Sequence, residues 1–593
     1  MVYFKIDRFS GLAPAISRRL LQDQFGQIAQ DVNFETGRLL GTKLSSQVFE
    51  LKDGNRRSIY KYYNGNDEYW LQWDEDVDVA EGPIPGDEIN RLYWTGQDYP
   101  RISWKTNIVS GANQHYPYLG FRLGVPAPSG RPVVTVSGDA DETLTPLDVS
   151  YVMTIVTSDG REGPPSLPSA VVQKVDGQMA TISLPSISNL LGGNHNLGVD
   201  AAFRLYRSNT GSTTSAFQLV PQVDLPNGSV TYSGGAINTG VTQVVDYTDA
   251  DQLAEVVPST GWIGPPDDDT ALYPDGPLKG LIPLGQGVMA GFTGKRFCIS
   301  EPFLPHAWPI NYRITTEQDI VAIASTNGGV AALTAGHPYF ITGTDPSAMS
   351  AIRVDLAQAC VNKESVVDMG QYVMYAGPDG LCAVEGSQGK VLTEGLITAQ
   401  QWRDATGDYR PEQIKAFRHE NTYVAFHENG GFVYDPRGDE NSLATLTLDN
   451  QNNQAVRGGY TNPRDGELYL IRDENIMHYQ ASNISRPATF KSKTFVTPRP
   501  TSMSWACVSA NRWPVDVAVI ADGVTIAEYS INKQGEAAYL QSTTTPANIN
   551  NTVIAEPIMR LPAALATEWE IQVSGEDINE VCIAQSMEEI RTS

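Results

Sequence analysis

The chain has 593 residues, with 42 Lys and Arg against 68 Asp and Glu, so its formal net charge is −26; 19% of residues are charged and 41% hydrophobic. These proportions exclude a disordered chain. They also exclude a dedicated grip on nucleic-acid phosphate, which needs clustered Lys and Arg: residues 1–122 carry 14 basic and 16 acidic side chains, 123–270 carry 5 and 16, 271–485 carry 15 and 24, and 486–593 carry 8 and 12.

In chain order, one helix is expected first. Leu12, Ile16 and Leu20 recur at helical spacing, Phe25 and Ile28 continue that face, and Pro14 suits a first turn. Residues 57–109 then read as a sheet of about four strands (RSIYKYY, DEYWLQW, VDVAEG, RLYWTG), with Asn64-Gly65 as a hairpin turn. Residues 123–257 become rich in Ser, Thr, Val and Pro. Short strands such as YVMTIV, MATISLP, AAFRLYRSN, AFQLV and TQVVDYTD predict a β-sandwich of fibronectin type III or immunoglobulin kind, with loop insertions near 187–198 and 225–240.

Residues 280–485 repeat. Turn signals at Gly294, Asn327-Gly328, Asp379-Gly380, Asn429-Gly430 and Asp465-Gly466 recur about every 43 residues, each flanked by short strands. A period of 40–50 residues with four strands per unit predicts a β-propeller, of about six units once the 57–109 sheet is counted. In residues 486–593, Val515, Val517 and Val519 alternate up to Asp522-Gly523, and Val524 and Ile526 alternate after it, which is a hairpin. The fold class expected is therefore all-β: an N-terminal helix and first blade (1–122), an inserted sandwich (123–270), the remaining blades (271–485) and a C-terminal β-sandwich (486–593).

The N-terminus shows no apolar core of signal-peptide length, so no secretory leader is expected. The charge-free stretch Ile320–Thr344 is broken by Asn327-Gly328-Gly329 and Gly336-His337-Pro338 and reads as two or three strands, so no membrane insertion is expected. The five Cys (Cys298, Cys360, Cys382, Cys507, Cys582) contain no CxxC pair, and most lie in apolar strands. Buried reduced thiols in a reducing cytosol are the expectation, with no disulfide framework and no thiolate zinc site.

No catalytic, cofactor-binding or metal-ligating residue emerges. Gly285, Gly287 and Gly291 are spaced too widely for a dinucleotide loop, and Gly294-Lys295 lacks the upstream Gly of a phosphate-binding loop. Asp74, Asp76 and Asp78 open like a calcium loop, but Val79 and Pro85 replace the Gly and Glu such a loop needs, so a solvated strand face is expected. Asp267–Asp269 read as a linker. The seven His (His115, His195, His306, His337, His419, His427, His478) show no ligand spacing, although His419 and His427 could share a sheet.

Four phrases together resemble tail proteins of short-tailed bacteriophages. The opening GLAPAISRRLLQDQFGQIAQDVNFETGRL supplies Gly11, Pro14, Ala29, Val32, Asn33, Gly37 and Leu39, and the first-blade segment supplies Trp73, Val77, Arg91, Tyr93, Thr95, Gly96, Pro100 and Arg101. Ser300–Pro309 and Ile583–Ile590 also fit. The chain is similar in this way to the tail nozzle, or tail tubular protein B-like, family. The resemblance implies a non-enzymatic virion subunit with a β-propeller, made in the host cytoplasm and located in the virion tail. It implies a homohexameric ring below the portal and head-to-tail adaptor. That ring carries double-stranded DNA in transit during ejection and offers a surface to tail fibres or a channel plug. Two alternatives stand beside it. A propeller-based carbohydrate-active enzyme, a sialidase or depolymerase, predicts an axial pocket with facing carboxylates or an Arg cluster. A receptor-binding module predicts exposed aromatics in RLYWTG and SEPFLPHAWP.

Overall fold

The computed structural model describes residues 3–592 except 53–54, 111–116, 188–189, 210–215, 225–229, 233–241, 259–260, 438–441, 449–454, 533–538 and 542–557. Short strands dominate; the α-helices among the described residues are Lys105–Val109, Ala399–Arg403 and Met587–Thr592. None is long and apolar enough to cross a membrane.

The centre of the molecule is a β-propeller. Four blades follow one another as four-stranded antiparallel sheets whose first strands are Lys279–Pro283, Ile320–Thr326, Val367–Asp368 and Lys415–His419 (blades 3 to 6). Blade 7 is built from Gly458–Thr461, Leu468–Arg472 and Asn475–His478, and its fourth strand is Ser46–Glu50, from the other end of the chain. That pairing closes the ring non-covalently. The charge-free stretch at 320–344 forms the first three strands of blade 4.

The 57–109 region is two blades rather than one. Ser58–Asn64 and Asp67–Trp73 make a two-stranded blade 1, whereas Asp78–Glu81, Leu92–Thr95, Arg101–Ser103 and Phe121–Arg122 make blade 2. Seven inner strands therefore ring the axis, one more than the repeat count suggested. A two-stranded blade leaves too short a period to register as a unit. Its hairpin pairs Asn64 with Asp67, so the central turn residues are Gly65 and Asn66, one position later than expected. Apolar clusters fill the spaces between blades: Tyr62, Trp73 and Trp94 between blades 1 and 2, and Tyr93, Met289 and Trp308 between blades 2 and 3. Burial of such side chains is the main favourable term holding blade to blade.

The insert leaves after Arg122 and returns before Lys279. One sheet orders Val133–Ser137, Met179–Ser183, Gln243–Asp246, Gln222–Asp224 and Val230–Tyr232; Tyr151–Val156, Ala202–Asn209 and Ala216–Leu219 form another, and Val149, Met153, Ile182 and Leu205 lie in the core they share. Much of the loop expected near 225–240 falls outside the described residues.

The expected N-terminal helix is absent. Gly11–Leu12, Phe25–Gly26 and Ile28–Gln30 are short strands, and Ile16 and Leu20 are exposed. The backbone of this segment is claimed by distant partners: Ala15 donates to Leu396, Gln27 donates to Lys491, and Arg18 accepts from Thr494. Tertiary pairing thus overrides a modest local periodicity. The same segment completes the C-terminal unit. Tyr3–Ile6 and Leu39–Gly41 pair with Asp577–Ala584, and Ile28–Gln30 bridges blade 6 to the sheet of Ala488–Lys491, Ala566–Gly575, Val515–Ala521 and Val524–Ile531. The 515–531 hairpin lies where its alternation placed it.

The cysteine expectation is corrected in part. Cys298, Cys360 and Cys382 are buried free thiols, but Cys507 and Cys582 face each other across antiparallel strands and form a disulfide. Seventy-five residues separate them, and only the strand register brings them together.

Candidate functional site

The propeller axis holds a cavity of about 410 Å³ to which every blade contributes. Ser58 comes from blade 1, Asp76 and Asp78 from blade 2, Ile282 from blade 3 and Ser325 from blade 4; Asp368, Phe417 and Tyr460 come from blades 5 to 7. Lys363 and Glu364, in the short helical turn before Val367, complete the lining together with Arg57 and Lys415.

These charges are organised across the axis. Lys363 Nζ lies 2.8 Å from Asp76 and 2.9 Å from Asp78, so it ties blade 5 to blade 2 on the opposite side of the ring. Asp78 also accepts a 3.0 Å hydrogen bond from the Gly280 amide of blade 3. Glu364 pairs with Lys415 of blade 6 and, at 3.5 Å, with Arg57 of blade 1. Ser325 Oγ donates to Asp368 at 3.3 Å. Burial, with Asp76 alongside, raises the Asp78 carboxyl above its ordinary range against the pull of Lys363. Burial alone would lower Lys363, but Asp78 and Asp76 outweigh it and raise the ammonium. The charges of the cavity are therefore paired: Glu364 sits between Arg57 and Lys415, and Lys363 sits between Asp76 and Asp78.

No protein-family model and no curated protein sequence matches the chain. Solved structures to which it is similar include the WD40 domain of Neurospora crassa Pan2, at 6% identity over 53% of this chain and 86% of that one, with a TM-score of 0.23. A quinonprotein alcohol dehydrogenase-like protein of Bacteroides thetaiotaomicron matches at 11% over 60% and 93%, with a TM-score of 0.25. PorZ, a surface component of the type-IX secretion system of Porphyromonas gingivalis, matches at 12% over 86% and 70%, with a TM-score of 0.26. At such TM-scores these likenesses carry no argument about this chain.

The acidic triplet at 74–78 thus divides. Asp74 pairs with Arg56 at 2.9 Å, whereas Asp76 and Asp78 turn into the axial cavity. Val77 and Val79 pack against the cluster between blades 1 and 2, but the face expected to be solvated is not: Asp76 and Asp78 look across the ring at Lys363.

Asp267 and Asp268 serve the root of the insert. Arg122 makes a bidentate pair with Asp268 at 2.6 and 2.9 Å and stacks on Tyr99. Arg161, from the insert, is held by Asp159 and donates to the carbonyls of Arg122 and Leu123. His195 Nδ1 lies 3.2 Å from the Gly124 carbonyl, and His306 Nε2, from blade 3, lies 3.1 Å from the Glu162 carbonyl of the insert. Burial first, and the neighbouring arginines, push both imidazoles down to about 4. This junction was missed in the sequence because its members come from five separate stretches.

The remaining histidines form no ligand set, although His419 lies near enough to His478 and Glu467 to feel their charge. His337 bonds Leu356, His427 bonds Asp408, His478 meets Glu467, and His419 packs edge-on against Tyr479. His419 and His427 do share blade 6, but at opposite ends of their hairpin. His115 lies outside the described residues. Among the described residues no group of His, Cys, Asp and Glu could hold a metal. The aromatics suggested for receptor contact are mostly internal: Tyr93, Trp94 and Trp308 are buried, and Phe303 is exposed.

Proposed function

We propose that this chain is a structural, non-enzymatic subunit of the tail nozzle of a short-tailed phage. It would assemble into a hexameric ring in the virion tail that continues the DNA channel below portal and adaptor and offers a surface to fibres or a plug. The observation that carries this reading is the position of the residues on which the sequence resemblance rests. Gly11 has φ +101°, and a Cβ there would lie 2.3 Å from the Leu443 carbonyl oxygen, where the N-terminal segment meets blade 6. Gly96 has φ +111°, and a Cβ there would lie 2.1 Å from the Asp76 carbonyl oxygen, beside the axial pairs. Tyr93 and Trp308 fill the space between blades 2 and 3. The shared residues thus set backbone and core, as a common scaffold requires.

In this reading the duplex runs between subunits and not along the propeller axis, whose cavity suits a small molecule at most. An acidic lumen repels phosphate and lets DNA slide. Negative-stain microscopy of the purified protein tests the assembly: six-fold rings with a central hole support the reading, and monomers overturn it. One observation favours the carbohydrate-active alternative, namely the carboxylates of Asp76, Asp78, Glu364 and Asp368 around the axial cavity. Three of the four are already engaged by Lys363, Lys415 or Arg57. Release of reducing sugar from host surface polysaccharide would shift the reading to that class.

A further inference from the structure

The geometry points to a covalent lock that the C-terminal unit acquires after folding: Cys507 and Cys582 meet as thiols and are joined once the protein leaves a reducing compartment. This inference rests on the proposed function for its setting, a chain made in a bacterial cytosol that works outside it. Its chemistry rests on the strands alone.

Trp505–Ala510 pairs with Asp577–Ala584 along its length, and the register sets Cys507 directly opposite Cys582, with Cα atoms 5.1 Å apart. That separation lies within the range a disulfide spans. The ladder runs from Trp505–Ala584 to Ala510–Ile578, so it is backbone pairing along the whole strand, and not the bond alone, that sets the two cysteines opposite each other. The five cysteines are not equivalent. Cys298, Cys360 and Cys382 are buried, and burial pushes their thiols up to about 12, which suppresses the reactive thiolate. Cys507 is half-buried, whereas Cys582 is 1% exposed, so Cys507 is the sulfur within reach of a soluble oxidant.

The strand carrying Cys582 has a special place. Its other edge receives Tyr3–Ile6 and Leu39–Gly41, so the chain's first and last strands share one sheet. A bond from this strand to Trp505–Ala510 fixes the one strand on which both of those N-terminal pairings depend. The oxidant is a small disulfide such as oxidised glutathione. The Cys507 thiolate attacks one glutathione sulfur and expels a glutathione thiolate. The Cys582 thiolate then attacks the Cys507 sulfur and expels the second. The protein loses two electrons and two protons, and two molecules of reduced glutathione form.

The test has two arms on the full-length protein. In the first, cells expressing the chain are quenched in acid, alkylated and analysed by mass spectrometry. Cys507 and Cys582 are expected to be alkylated there, and to be joined after the folded protein meets oxidised glutathione, with Cys298, Cys360 and Cys382 still thiols. A 507–582 bond already present in the cytosol, or five free thiols after oxidation of the folded protein, overturns the inference. In the second, protease resistance of the segments 3–6 and 577–584 is compared between oxidised and reduced wild type, with Cys507→Ser as a further control. At least a tenfold slower cleavage of the oxidised form is expected, and equal cleavage overturns the lock. Microscopy of the same samples separates the two ideas. A bond in a monomeric protein sinks the nozzle reading alone, and rings that never form the bond sink the lock alone.

Discussion

Replacing Lys363 with Met keeps an unbranched stem and removes the ammonium that joins blade 5 to blade 2. Lys363 makes two charge-assisted hydrogen bonds, at 2.8 and 2.9 Å. Such bonds contribute about 1.5–3 kcal/mol each when well shielded. The three side chains keep 25–41% of their surface exposed, so solvent screening places these at the low end. Losing both, with two carboxylates left side by side, is expected to cost the inner ring about 2–3 kcal/mol at pH 7.5. At about 1.4 kcal/mol per decade, amides in Asp78–Glu81 and Val367–Asp368 exchange with deuterium roughly 30- to 140-fold faster. The pH dependence has a definite sign. The folded protein raises the Asp78 carboxyl above its ordinary 3.8, because burial and Asp76 outweigh Lys363. A group raised on folding favours the fold below its unfolded pKa, and that contribution is lost as pH rises through the folded one. Without Lys363 the carboxyl rises further, so the penalty of the variant shrinks as pH falls towards 4 and Asp78 takes up its proton. Lys363→Met/Asp78→Asn is expected to recover most of the loss. Unchanged exchange at pH 7.5, or a penalty that grows on acidification, refutes the reasoning.

Acid is expected to loosen the root of the insert. His195 and His306 have folded values of about 4 against 6.5, so the released state takes up protons first and stability falls as pH drops from about 6.5 towards 4. His306 alone contributes about 3 kcal/mol of that loss, read as faster proteolysis near residues 123–126 and 261–266; a pH-independent cleavage rate would contradict it. Inside the insert, Arg207→Ala removes the guanidinium facing buried Asp246 and leaves it, among the described residues, the Tyr151 hydroxyl and the Thr248 amide as hydrogen-bond donors, with the Lys174 ammonium nearby. A loss of about 3–5 kcal/mol is expected, visible as an earlier calorimetric transition for the insert, and a shift below one degree would rule it out. Gly11→Ala puts a Cβ into the Leu443 backbone at positive φ. Strain of about 1–3 kcal/mol or more should expose residues 10–25 to protease while leaving blades 3 to 5 protected, and unchanged digestion would remove the argument.

The parts of this fold that could be read in advance are those made of local contacts. Blades 3 to 6 each run as consecutive hairpins, so their turns and alternations appear in the sequence in order. What could not be read was pairing at long range. Ser46–Glu50 looks like any short strand until Asn475–His478 takes it into blade 7. Leu12, Ile16 and Leu20 carry helical spacing, yet the segment runs as short strands at 11–12, 25–26 and 28–30 with turns between them, because Leu443, Lys491 and Phe490 supply partners that no local window contains. Asp76 and Asp78 were recognisable as a polar face, but their partner is more than 280 residues away. Cys507 and Cys582 likewise become neighbours only through the register of one ladder.

The same contrast explains where the charges went. The surfaces between blades are lined by interchangeable Val, Ala, Ile, Leu and aromatic side chains, so hydrophobic burial alone does not distinguish one blade order from another. The polar pairs do. Lys363 fits Asp76 and Asp78, Glu364 fits Lys415 and Arg57, and Arg122 fits Asp268 at the insert root. Arg486 reaches Asp31 where the N-terminal segment enters, and Lys5 meets Glu580 where the ends join. A misassembled ring would strand these groups. Each stranded charge costs less than a fully buried one, because Arg57, Asp268 and Glu580 stay more than a third exposed and are screened, but the mismatches act together against a wrong order. Many of the 42 basic residues are thereby committed to joints within the chain, against a total of 68 acidic ones. Each such pair uses one acid and one base and so leaves the net charge of −26 intact, a surplus that in the proposed ring would repel a passing duplex.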